Sequence, residues 1–297
     1  MAAKSDAVIG AITPWFGAKR RLAPRVVEAI GRHSSYWEPF CGSLAVLLAK
    51  PACVMETAND LHGDLINLAR VLSDADASLE LYGRLSRLLL HEGLFQEAAG
   101  RLRPFADMAA PVAMDVGRAA DFMVISWYGR NGVGGTRPYN MNFCVRYTSN
   151  GGHAATRWAS AVSSIPEWHR RLRNVTILNR DAFDVLGRIE DKAGTAVYCD
   201  PPYLAKGAEY IHDFRPDDHA RLAESLSRFR STRVVVSYYD HPRLADLYPP
   251  DRWSRAEIEV TRSMANQGGK LGADKATEVL LVNESSAGLL FKPEGRA

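Results

Sequence analysis

Apolar positions along the chain fall into helical and strand-like runs that alternate, then pause, then resume. Leu22, Val26 and Ile30 recur at helical spacing, with Pro24 suited to a first turn, so an early helix follows the glycine-containing segment 14–19. A short apolar run at 36–40 passes through Gly42 into the apolar stretch 44–49, which reads as strand, turn, helix. A second strand is predicted over 52–57, just before Asn59 and Asp60, and Leu61, Leu65, Leu68 and Leu72 mark one face of the next helix. The alternation stops there. The region to about Met123 is helical in pattern, with Leu79, Tyr82, Leu85 and Leu89 among its apolar positions, and 129–152 is rich in glycine and asparagine, which favour turns and hairpins. Strand signals return at 175–178, 196–199, 234–237 and 279–282, with Leu222, Leu226 and Phe229 marking a helix between two of them; the tail after Glu284 reads as weakly structured.

This pattern predicts an α/β fold: a mainly parallel sheet with crossover helices, built from both ends of the chain around a helical and hairpin insertion. The expected division is a core from 1–75 and 174–297 and an inserted unit from 76–173. A chain of 297 residues that is 46% hydrophobic and 24% charged suits one large domain with such an insertion. Its apolar runs are far too short to span a bilayer, so a cytoplasmic protein without membrane partners is expected. Cys41, Cys53, Cys144 and Cys199 form no Cys-x-x-Cys pair, so they read as reduced thiols, and no metal is implied. His212 and His219 read as packing residues.

The net charge of +3 says little, but its distribution changes the picture. Between Tyr128 and Arg180 eight arginines stand against one acid, Glu167. Arginine without lysine suits forked hydrogen bonding to phosphates and guanine edges, although a solvated basic surface is the plainer reading.

Three segments carry chemistry. Cys199-Asp200-Pro201-Pro202-Tyr203 follows an apolar strand, and its two prolines end the sheet ladder at the carboxyl edge, where α/β proteins bind ligands. Asp200 and the Pro201 carbonyl are placed to accept the two hydrogens of a conjugated exocyclic amine, with Tyr203 stacking on the ring. The tetrapeptide alone is equally an ordinary strand-ending turn. Glu38-Pro39-Phe40-Cys41-Gly42 ends an earlier strand, and Asp60 follows eighteen residues after Gly42, placed to bind ribose hydroxyls of a nucleoside cofactor. Gly-x-Gly-x-x-Gly is absent, which argues against a nicotinamide cofactor. Pro14-Trp15-Phe16-Gly17-Ala18-Lys19 offers an aromatic face and a cation, although taken alone it reads more readily as a buried Trp and a surface Lys.

In this order the segments resemble the Dam-type adenine-N6 DNA methyltransferases, including phage-borne relatives. Asn59-Asp60-Leu61 with 64–68, Tyr128-Gly129-Arg130-Asn131-Gly132, and Arg262-Ser263-Met264 with Asn266, Gly268 and Gly269 extend the resemblance over most of 14–283. It implies a Rossmann-like S-adenosylmethionine-dependent methyltransferase core with an inserted helical plus β-hairpin target-recognition domain. It implies methyl transfer from S-adenosylmethionine to N6 of a flipped adenine in double-stranded DNA. Asp200, Pro201 and Tyr203 would then be catalytic; Trp15, Lys19, Glu38, Phe40, Gly42, Asp60, Asp181 and Asp200 would bind the cofactor, with Phe183 near its adenine. Arg130, Asn131 and Arg137 are the candidate base readers. Two departures stand out: 42–44 reads Gly-Ser-Leu where relatives carry a second glycine, and 132–137 does not reproduce the base-reading residues of GATC-specific members. Competing expectations are transfer to cytosine N4, which a serine in place of Asp200 would favour, transfer to RNA, and a DNA-binding module of the same fold without turnover. Nothing in the chain bears on a paired restriction nuclease.

Overall fold

The computed structural model describes residues 10–14, 19–89, 91–106, 108–129, 139, 142–143, 153–204, 214–262 and 274–284. The expected weakly structured tail lies outside them. Their sheet runs β1 (Ser35–Glu38), β2 (Met55–Asn59), β3 (Thr176–Leu178), β4 (Thr195–Cys199), β5 (Arg233–Tyr239), β6 (Trp253–Arg262) and β7 (Asp274–Asn283), in the order β3-β2-β1-β4-β5-β7-β6. The first five strands pair in parallel, whereas β7 lies antiparallel between β5 and β6. Strand order reverses at β1/β4, the crevice position at which doubly wound α/β sheets bind ligands. The core is thus the expected Rossmann-like α/β fold.

The helices follow chain order: α1 (Ala23–Ile30), α2 (Ala45–Ala49), α3 (Gly63–Ser73), α4 (Ala75–Leu85), α5 (Glu92–Leu102), α6 (Val116–Tyr128), α7 (Ala154–Ser163), α8 (Ile165–Leu172), α9 (Ala182–Arg188), α10 (Pro216–Ser227) and α11 (Leu244–Leu247). Because successive strand residues point to opposite faces, Ala196 and Tyr198 join one apolar cluster with α1, α3 and α4–α8, while Val197 and Cys199 join another with α9–α11. Both faces of β4 are therefore covered, which is why all five of its residues are buried.

Three details differ from the sequence expectation. β2 begins at Met55 rather than at 52, because 51–53 form a loop behind Pro51. On α4 the buried positions are Ser78, Leu81 and Leu85; Leu79 and Leu89 are 70% and 80% exposed, and Leu89 lies beyond the helix end. β6 was not anticipated. Its Arg255, Glu257 and Glu259 give it a charged face, as suits an edge strand, and Arg255 pairs with Asp240 at 2.7 Å.

The helices between β2 and β3 are not separately packed. On α3, buried Asp64 accepts hydrogen bonds from Arg118 of α6 and from Tyr139, and the Asn67 side chain exchanges hydrogen bonds with the Asp115 backbone at 2.8 and 3.0 Å. Gly129 and Phe143 form an antiparallel bridge. Among the described residues no helix is long and apolar enough to cross a membrane, and Cys41, Cys53 and Cys199 are free thiols.

Candidate functional site

The carboxyl ends of β1, β2, β3 and β4 open into a cavity of about 300 Å³. Its floor is a glycine turn. Gly42 has φ 45° and Leu44 φ 60°, a left-handed conformation that costs a non-glycine residue about 1–2 kcal/mol. Leu44 is fully buried, so packing holds it there. The Gly42 N–H donates to Asp60 Oδ2 and the His62 N–H to Asp60 Oδ1, each at 2.9 Å. The eighteen-residue spacing is thus a direct hydrogen bond. Asn59, almost fully buried, donates to the carbonyls of Pro39 and Arg180 and accepts from the Arg180 N–H, all at 2.9 Å. One side chain thereby stitches together the turns after β1, β2 and β3.

An aromatic wall faces this floor. Asp181 caps α9 by accepting from the Phe183 N–H at 2.8 Å. Phe183 stacks on Phe214 at 5.8 Å, carries the Arg221 guanidinium at 3.9 Å from its ring centre, and Phe40 meets Phe214 edge-on at 5.5 Å. Such contacts hold aromatic planes in fixed orientations and leave an apolar slot beside charged groups.

The strongest electrostatic feature surrounds Asp200. Its Oδ1 lies 3.1 Å from Lys19 Nζ, 3.1 Å from the Tyr203 hydroxyl and 2.9 Å from the Ser237 hydroxyl, all three donating. Lys19 also reaches Glu278 Oε1 at 3.4 Å, and Tyr203 reaches it at 3.3 Å. Burial pulls the Lys19 pKa down, but the facing charges of Asp200 and Glu278 outweigh it, and the ammonium is held above its ordinary value. Glu278 moves up, chiefly through burial and then through the Asp200 charge, against the opposing pull of Lys19. Glu38, at the end of β1, is pushed up to about 8 by burial; the Tyr36 hydroxyl donates to it at 2.9 Å and works in the opposite direction.

Of the residues singled out from the sequence, Lys19, Glu38, Phe40, Gly42, Asp60, Asp181, Phe183, Asp200, Pro201 and Tyr203 all line this one cavity. Trp15, Arg130, Asn131, Arg137 and His212 lie outside the described residues. Lys19 faces two carboxylates, and Tyr203, 9% exposed, turns its hydroxyl inward. Of the eight arginines of the basic stretch, Arg171 is spent internally on buried Glu56, whereas Arg170 pairs at the surface with Glu167 of the same helix. His219 is buried against Tyr238 at 3.0 Å, a packing position. Sequence reading passed over Asn59 as a site residue, and over Phe214, Ser237 and Glu278. The signals for the last two were slight: a hydroxyl ending the run Val234-Val235-Val236, and a carboxylate just before the apolar run 279–282.

A family model described as D12 class N6 adenine-specific DNA methyltransferase matches residues 15–264. The chain is also similar to the retron Ec67 DNA adenine methylase of Escherichia coli, with 25% identity over 292 residues, covering 95% of this chain and 94% of that one. Among solved structures, precorrin 8w decarboxylase of Methanobacterium thermoautotrophicum aligns over 89% of each chain at 9% identity with a TM-score of 0.36, too low to bear on the site.

Proposed function

Because the chain belongs to the D12 class N6 adenine-specific DNA methyltransferases, we propose that its cavity binds S-adenosylmethionine and that Asp200 directs methyl transfer to N6 of an adenine turned out of double-stranded DNA. The observation that carries this reading is the arrangement of Asp200: an acid at the carboxyl end of β4, loaded by donors on one oxygen, in the same cavity as the Gly42–Asp60 turn.

The donor set fits the cofactor. Asp60 lines the cavity with its carboxylate oriented by the Gly42 and His62 N–H groups, a placement suited to ribose hydroxyls. Asp181, Phe183 and Phe40 border the slot that suits a flat adenine ring, and Glu38 and Gly42 border the amino-acid end. Lys19 pairs with Asp200 and Glu278 and stands near enough to that end to meet a carboxylate; Trp15 would cover the adenosine. When bound, S-adenosylmethionine supplies a methyl group on a positively charged sulfur.

The adenine amine is a poor nucleophile because its lone pair is delocalised into the ring. Asp200 Oδ2 and the Pro201 carbonyl accept its two hydrogens, which favours the pyramidal form and points the lone pair at the methyl carbon. As N6 takes the methyl group and the methyl–sulfur bond breaks, the positive charge leaving sulfur would grow on N6 beside the Asp200 carboxylate, and Asp200 Oδ2 would take the surplus proton. Preorganised charge of this kind acts in a water-poor site without reorganising during the reaction. Tyr203 borders the base while its hydroxyl fixes Asp200. A base inside a duplex cannot reach this pocket, so the adenine is flipped. The inserted unit, 76–173, holds the flanking duplex through its arginines, and Arg130, Asn131 and Arg137 read base edges.

The test is incubation of unmethylated DNA of varied sequence with the protein and methyl-labelled S-adenosylmethionine, followed by mass spectrometry of the nucleosides. Label in N6-methyladenine, lost in Asp200→Ala, is expected. Label in N4-methylcytosine, or only in RNA, overturns the acceptor; cofactor and DNA binding without any label overturns the turnover.

A further inference from the structure

Asp200 carries three donors on Oδ1, and they come from three separate parts of the chain. Lys19 precedes α1, Tyr203 follows the proline turn, and Ser237 sits near the end of β5. Ser237 is fully buried, and its hydroxyl also bonds the Tyr198 hydroxyl at 2.9 Å. A hydroxyl that donates to Asp200 and accepts from Tyr198 has one fixed rotamer.

Glu278 completes the arrangement from an unexpected direction. β7 runs against the parallel strands, and its register sets Glu278 opposite Tyr239 at the carboxyl end of β5. This reversal brings a carboxylate to the same sheet edge as Asp200. Glu278 is 5% exposed, and its Oε1 meets both Lys19 and Tyr203, the two groups that also hold Asp200. A buried carboxylate costs stability unless it is paired, and here two carboxylates share one lysine. The Lys19 ring contact, 4.8 Å from the Tyr203 centroid, ties the same three groups together.

We infer that Glu278 and Ser237 are positioning residues for methyl transfer: they lock Lys19, Tyr203 and Asp200 Oδ1 in place so that Asp200 Oδ2 alone faces the amine. This rests on the reading of Asp200 given above. Neither Glu278 nor Ser237 is among the residues lining the cavity; they act by fixing the groups that are.

The experiment compares Glu278→Gln and Ser237→Ala with the unaltered protein on a methylatable duplex, measuring kcat and KM for both substrates, S-adenosylhomocysteine affinity by calorimetry, and thermal melting. In each variant kcat falls roughly 10- to 100-fold, the range that a hydrogen bond to a charged group carries, while both KM values and the S-adenosylhomocysteine Kd stay within about twofold, since only a group felt in the transition state is lost. Glu278→Asp, which keeps the charge, recovers part of kcat. Unchanged kcat in both variants, or a rise in KM with kcat retained, overturns the inference while N6-methyladenine formation by the unaltered protein still upholds the reading beneath it. If the unaltered protein forms no N6-methyladenine, that reading fails first and the inference with it. Should Glu278→Gln not fold, Ser237→Ala decides alone.

Discussion

Two buried ion clusters of nearly the same composition sit at opposite ends of the parallel strands, and they do different work. At the amino end, Lys50 pairs with Glu56 of β2, Arg171 of α8 grips the same carboxylate at 2.8 Å, and Lys50 lies 4.6 Å from the Tyr36 ring centre. At the carboxyl end, Lys19 pairs with Asp200 and Glu278 and lies 4.8 Å from the Tyr203 ring centre. Each has a lysine over a tyrosine. The first has two cations on one acid and is closed, with the Lys50 side chain fully buried. The second has two acids on one cation and opens to a cavity, the Asp200 side chain being 21% exposed. Burial pushes the Glu56 pKa up, yet hydrogen bonds from Arg171 and Lys50 outweigh it and hold Glu56 below its ordinary value, whereas Glu278 is pushed above it. The cation-rich cluster, with its Lys50–Glu56 pair buried, staples α8 to the sheet. The acid-rich one borders the cavity, where the proposed reaction would place a positive charge.

The sharpest way to break this comparison is to remove the shared acid of the closed cluster. Glu56→Ala leaves Lys50 and Arg171 buried and uncompensated, and unfolding free energy falls by about 3–5 kcal/mol, while kcat of the folded protein is unchanged. Denaturant melts beside activity assays check both. The sign of the pH effect follows: a folded-state pKa below 4.5 makes this stabilisation present above the unfolded pKa and lost as pH falls through the folded one. An acid midpoint identical in the variant and the unaltered protein would remove Glu56 from the staple.

Glu38 lies between the clusters; after burial, the largest influence, it feels Asp200 pushing its pKa up and Lys50 and Arg171 pulling it down. With the folded pKa at about 8 against an ordinary 4.5, the folded chain holds a proton that the unfolded chain releases. Its stability contribution is therefore full below pH 4.5 and is lost as pH rises toward 8, on the order of 3–5 kcal/mol across the window. Glu38→Gln, neutral throughout, flattens that slope in a series of melts from pH 5 to 9; an unchanged slope would show that Glu38 is already ionised in the folded state.

The same substitution in the two lysines should give opposite results. Lys19→Met leaves two acids face to face and lowers kcat by about 100-fold, the upper end of the range for a lost hydrogen bond to a charged group. Lys50→Met leaves Arg171 with Glu56 and costs within about 2 kcal/mol of stability and no activity. Equal losses in the two variants would erase the distinction between the clusters.

The smallest effect concerns α2, the short rod between the glycine turn and Lys50. Leu44→Ala costs about 2–5 kcal/mol for the lost packing. Leu44→Gly removes one methyl more, yet it is the more stable of the two by about 1 kcal/mol, because glycine adopts φ 60° without strain. A glycine variant less stable than the alanine one would show that the turn is unstrained.

Much of this was legible in the amino-acid order. Helical spacing at Leu65, Leu68 and Leu72, the apolar strand ahead of Asp200, and the paired prolines after it are local patterns, and local patterns survive translation into structure because backbone geometry repeats with fixed periods. The joint order of the segments at 14–19, 38–42, 59–60 and 199–203 was enough to indicate the family, and the last three end β1, β2 and β4 at the same sheet edge. Tertiary structure alone decided the rest. That Lys19 faces Asp200, that Ser237 donates to the same oxygen while Glu278 accepts from Lys19 and Tyr203, and that Arg171 staples a helix rather than awaiting a phosphate all depend on groups far apart in the chain. The physical reason is that pairing of buried charges is fixed by strand direction and register: only because β7 runs antiparallel does the carboxylate of residue 278 arrive at the edge where the parallel strands end.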